Sequence, residues 1–166
     1  VSTPPGTIGL THISGPVGKL IELGQWLNNE GFKAWEHAFV MLPGGMILEA
    51  EPGGAVIVPN HYADVYWCDA LRVMLPASAD ALMPSAGRAL KGVPYSFLDY
   101  GALAAHRLHL PLPFLKDFIE DDRHMICSQL CDEFYLRLGA NLFDDGRWPG
   151  YVTPASLYQL DQGMRR

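Results

Sequence analysis

The sequence predicts an α+β fold, a small antiparallel sheet or partial barrel packed against helices. Three observations carry this. Two strand-like runs, Trp35 to Leu42 and Met46 to Glu51, flank Pro43-Gly44-Gly45, which is the pattern of a β-hairpin. Ile126, Leu130, Phe134 and Leu138 recur every four residues, and the last three make one buried stripe of a helix. Hydrophobic residues make up 49% of the 166 residues and charged ones 18%, so there is apolar material for a sizeable interior. Residues 1–166 therefore read as a single domain.

The elements follow in order. Thr7 to His12 reads as a short strand, broken by Ser14-Gly15-Pro16. Val17, Leu20, Ile21, Leu23 and Leu27 give helical spacing over Val17 to Asn28. The hairpin follows, then Gly53-Gly54 and a short strand from Ala55 to Pro59. Residues 61–76 are ambiguous: Tyr66 to Met74 suits strand or helix, and strand is the preferred reading because Trp67 and Val73 favour extended backbone. Ala77 to Leu90 is helical and is stopped by Gly92 and Pro94. Tyr95 to His106 reads as partly helical, and Leu108 to Leu115, with Pro111 and Pro113, as an apolar loop. The helix opening at Cys127 ends near Gly139. Thr153 is placed to cap a last helix, Ala155 to Leu160, with Pro154 at its first position.

Composition excludes several classes of function. The net charge is −6 and no basic cluster exists, which argues against a nucleic-acid partner. No run of 18 apolar residues is present, so no membrane-spanning segment is expected. The first residues carry no signal-peptide pattern, and a cytoplasmic location is expected. Cys68, Cys127 and Cys131 do not form a disulfide framework; Cys68 and Cys131 read as core. His12, His61, His106, His109 and His124 show no metal-ligand spacing, and neither metal nor cofactor is expected. Trp26 and Trp67 read as core, whereas Trp35 is close enough to His37 in sequence to line a cleft.

Candidate chemistry begins at Cys127. A thiol in the first turn of a helix meets the positive end of the helix dipole and unpaired N–H groups, which favour the thiolate. Its partners would come from the hairpin. Alternation puts His37, Phe39 and Met41 on one face. With the turn centred on Gly44, residue 49 lies opposite residue 39 and diagonal to His37, within reach of its ring. A bulge would hand that place to Glu51. Cys, His and a carboxylate suit a thiol hydrolase: the imidazole handles the thiol proton and the carboxylate orients the imidazole. Such a site needs the Leu130, Phe134, Leu138 stripe to pack on the sheet so that Cys127 lies over the His37 face.

These residues carry a resemblance. A His strand (Trp35 to Val40) is followed by an acidic strand (Ile47 to Ala50) and a Gly-x-Pro-Tyr element (Gly92 to Tyr95). Then come a Cys-Ser-x-Leu helix start (Cys127 to Leu130) and a Thr-Pro pair (Thr153-Pro154). In that order the set resembles the circularly permuted, papain-like NlpC-type amidases of the YiiX-like group. It spans residues 35–154, although Gln129 stands where that group often has Glu. The resemblance implies a permuted papain-like fold with Cys127 as nucleophile, His37 as base and Glu49 as orienting group. It also implies that Tyr95 lies beside the oxyanion or substrate. The implied substrate is an amide in a cell-wall-type peptide. Lecithin:retinol acyltransferase-like proteins of the same broad superfamily imply a lipid ester or amide instead. A binding module with a vestigial triad is the third possibility.

Overall fold

A computed structural model of the chain describes residues 3–12, 35–51, 53–94, 127–145 and 152–166. The expected helix at Val17 to Asn28, the Tyr95 to His106 segment and the Leu108 to Leu115 loop lie outside them. So do Trp26, His106, His109 and His124.

Five strands form one open antiparallel sheet: β1 (Ile8–Thr11), β2 (His37–Leu42), β3 (Met46–Glu51), β4 (Gly54–Pro59) and β5 (Tyr66–Cys68). Their spatial order is β4-β3-β2-β1-β5. The hairpin between β2 and β3 closes through a single 3₁₀ turn, Pro43–Gly45. Gly44 and Gly45 take φ of 78° and 72° there, conformations that a side chain at either position would oppose. Among the described residues, four helices follow: α1 (Asp69–Arg72), α2 (Ala79–Leu90), α3 (Cys127–Arg137) and α4 (Pro154–Met164).

Two elements differ from the sequence-based expectation. Tyr66 to Met74 is strand only through Cys68 and then turns into α1. The reason is remote in sequence. Buried Asp161 on α4 accepts from Ala70 N at 2.9 Å and Leu71 N at 3.4 Å, supplying the cap that Cys68 does not. The last helix runs to Met164, four residues past the expected end at Leu160. Its polar last turn is fixed by tertiary partners: Asp161 also holds Tyr66 Oη at 2.7 Å and Arg165 Nε at 2.7 Å. The other end of α4 matches expectation. Thr153 accepts from Ser156 N at 3.1 Å, and Ser156 Oγ returns the bond by accepting from Thr153 N at 2.9 Å. Such a cap is worth about 1 kcal/mol.

Helix α3 ends as its sequence suggests. Gly139, at φ 87°, donates to Leu136 O while Ala140 N donates to Tyr135 O, both at 3.0 Å, which closes the last turn. Leu130, Phe134 and Leu138 are buried as one stripe. The stripe packs in the main core with Ala38, Val40, Leu42, Leu48 and Ala50. By strand alternation that face is opposite the one carrying Phe39, Met41 and Ile47, which form a second, smaller core with Val58, Tyr62, Val65 and Trp67. The expectation that the helix would lie over the His37 face is thus corrected. Small Ala38 and Ala50 admit the helix on their side, while the aromatic side is covered by the segment after β4.

Among the described residues, no helix is long and apolar enough to cross a membrane.

Candidate active site

The hairpin register decides which carboxylate meets His37. Phe39 pairs with Glu49 and Val40 with Leu48, so there is no bulge before Glu49. Oε2 of Glu49 lies 3.1 Å from Nε2 of His37, and both side chains are buried, with 1% and 5% of their surface exposed. Glu51, the rival, is exposed at the end of β3 and pairs with Gly54.

Cys127 is the first residue of α3 and is fully buried. His37 is the first residue of β2, at the end of the strand, where a helix start on one face can meet a ring based on the other. Burial alone would lower the pKa of His37. Cys127 overrides it as a hydrogen-bonding side chain and a negative charge, with Glu49 adding to both effects, and the ring is raised to about 9. Among the described residues, Nδ1 of His37 meets no acceptor at strict hydrogen-bonding geometry. The Cys127 side chain nonetheless acts on the ring as a hydrogen-bonding partner, and Nδ1 is the nitrogen that Glu49 leaves open to it. Burial raises the Glu49 pKa, but bonds from His37 and Tyr62 outweigh it and hold the carboxyl below its ordinary value.

The helix start is tied down by its neighbour. Ser128 Oγ donates to Val152 O at 2.6 Å, so the Cys-Ser and Thr-Pro motifs meet in space. Gly92 N donates to Ala55 O at 2.7 Å, and Val93 O accepts from Ala55 N at 2.8 Å, which pins the Gly-x-Pro segment to β4. Tyr95, expected next to the site, lies outside the described residues.

Sequence reasoning missed Tyr62. Its hydroxyl donates to Oε2 of Glu49 at 2.7 Å, the same oxygen that faces His37. Its ring stacks on Phe39 at 4.9 Å between centroids, and Phe39 fills the space over Gly9 where a side chain would stand. A signal did exist. Asn60 Oδ1 accepts from Tyr62 N at 3.1 Å, an Asx turn that an Asn after Pro59 could have announced. His61, read only as a non-ligand, has Nε2 at 3.8 Å from Oε1 of Glu49.

The remaining candidates are structural. Cys68 and Cys131 are buried, and burial pushes both thiols up. Trp67 is partly buried and meets Phe39 edge-on at 5.7 Å. Trp35 stacks on His12 at 4.8 Å and packs beside Tyr66 and Tyr158 against the main core. Among the described residues, no group of three or more His, Cys, Asp and Glu side chains is arranged to hold a metal ion. Comparison with protein-family models, with curated proteins and with solved structures gives no match.

Proposed function

We propose that the protein is a cysteine hydrolase that cleaves an amide bond through Cys127, His37 and Glu49. The observation that carries this reading is a buried imidazole held by Glu49 on one nitrogen and acted on by the Cys127 thiol. With a pKa of about 9, His37 is protonated near neutral pH and stabilises the thiolate. Burial keeps bulk water from screening the pair.

The chemistry follows from those charges. The Cys127 sulfur attacks the carbonyl carbon, and the tetrahedral adduct collapses as the C–N bond breaks. His37 delivers its proton to the departing amine, leaving a thioester. Once the sulfur is acylated its negative charge is gone, and with it the main influence that raised the ring. His37 then takes a proton from water, whose oxygen attacks the thioester and releases the acid and the thiol. Glu49 keeps Nε2 protonated throughout, so that Nδ1 does the exchanging. Cys127 is closed from solvent, so substrate must open its cover.

By the motif resemblance, the amide belongs to a cell-wall-type peptide. The 49% apolar composition keeps lipid esters and amides as the second substrate class. The test is an alkylating activity-based probe directed at Cys127, followed by turnover assays on cell-wall-type peptides and lipid amides. Intact-mass detection of an acyl adduct on Cys127 identifies the class. Absence of probe capture and of turnover on every substrate leaves a binding module.

A further inference from the structure

We propose that Tyr62 is a positioning residue whose hydroxyl locks the Glu49 carboxylate onto Nε2 of His37, extending the three-residue site to four. The proposal rests on the Cys127–His37–Glu49 reading above.

The Glu49 carboxylate is bonded asymmetrically. Oε2 of Glu49 receives two donors, Tyr62 Oη at 2.7 Å and His37 Nε2 at 3.1 Å. Oε1 makes no hydrogen bond among the described residues, and His61 Nε2 approaches it only to 3.8 Å. Among the described residues, those two bonds to one oxygen are what hold the buried carboxylate against rotation. Of the two, losing the tyrosine would leave His37, with His61 competing from the other side.

Tyr62 is itself fixed. Its ring lies nearly parallel to Phe39, with 21° between planes, and contacts His61 at 4.2 Å. Its backbone N–H is bound by Asn60. Phe39 cannot retreat from the stack without leaving the space over Gly9 empty. Burial and the Glu49 carboxylate both push the Tyr62 hydroxyl up, so it remains a donor across the neutral range. Among the described residues, the ionisable groups acting on this cluster are Cys127 from α3, Glu49 and Glu51 from β3, His37 from β2 and His61 from the segment after β4.

A tyrosine that merely filled space would leave the His37 titration alone. The test is the His37 ring pKa, followed by NMR in wild type and in Tyr62→Phe, which keeps the aromatic stack. Circular dichroism checks the fold. The expected result is a His37 pKa lowered by about one unit as Glu49 swings away. Alkylation of Cys127 by iodoacetamide should slow about tenfold, within the range that lost positioning produces. A His37 pKa that is unchanged or raised, or an alkylation rate within about twofold of wild type, overturns the proposal.

Should Tyr62→Phe not fold, the wild-type protein decides. Tyr62 followed by its ring carbon shift should resist ionisation well above the ordinary tyrosine range, and Glu49→Gln should bring it down. A wild-type Tyr62 that titrates near the ordinary value of about 10 overturns the proposal. Failure of the hydrolase reading is seen separately, as Cys127 alkylating no faster than Cys68 and Cys131 in wild type.

Discussion

Nε2 of His37 lies 3.1 Å from Oε2 of Glu49, and the contact is diagonal across the β2–β3 hairpin because Phe39, not His37, is the direct partner of Glu49. A glutamate is long enough to span that diagonal. The same register leaves Glu51 exposed beside Gly54.

That difference gives the first prediction. Glu49→Gln should lower turnover at least about tenfold, because the amide keeps a hydrogen bond but loses the charge that supports imidazolium. His37→Ala should lower it by about 10²–10⁴-fold, the span of general acid–base catalysis. Glu51→Gln should leave the rate near wild type. Steady-state rates of the three variants on one substrate check the order, and damage confined to Glu51→Gln would contradict it.

The three cysteines allow a comparison in which access is matched. Cys68, Cys127 and Cys131 are all fully buried, so a difference in reactivity does not come from static exposure. Burial raises the Cys68 and Cys131 thiols, whereas Cys127 faces a protonated His37. Iodoacetamide at neutral pH should therefore modify Cys127 first, read by peptide mass mapping. Equal labelling of all three would show that the ion pair is not formed.

Stability should depend on pH through His37. Its folded pKa of about 9 stands above the ordinary 6.5, so the folded state holds the proton more tightly. The contribution is complete below about pH 6.5 and is lost as pH rises through about 9. Glu49 has the opposite sign. Its folded pKa is lowered, so its contribution is present above the ordinary carboxylate value and is lost in acid. Urea midpoints between pH 6 and 9 should fall in wild type and stay flatter in His37→Gln. Parallel curves for the two proteins would remove His37 as the source.

Gly9→Ala tests the support beneath the site. A Cβ at Gly9 would clash with the outer edge of the Phe39 ring, meeting Cζ, Cε1 and Cε2. Phe39 would have to shift, and its stack on Tyr62 with it. Overpacking of this kind costs about 1–3 kcal/mol. Denaturant unfolding should show that loss, and Cys127 alkylation should slow although Gly9 touches none of the reacting groups. Full stability with an unchanged alkylation rate would show that the aromatic layer does not hold Glu49.

The local pieces are legible from residue order alone. Two strands around Pro43-Gly44-Gly45 specify the hairpin, and alternation then places Glu49 opposite Phe39. The four-residue stripe and Gly139 specify α3 and its end, and Thr153-Pro154 specify the start of α4. Each is decided by neighbours within a few positions, where backbone preference and spacing act directly. Tertiary structure decided the rest. Asp161 caps α1 from the far end of the chain, turning an expected strand into a helix. The sheet face that receives α3 depends on Ala38 and Ala50 leaving room, which periodicity does not reveal. Tyr62 reaches Glu49 only because the segment after β4 folds back over Phe39. In all three cases the deciding contact joins residues that only the folded chain brings together, so no local pattern encodes it.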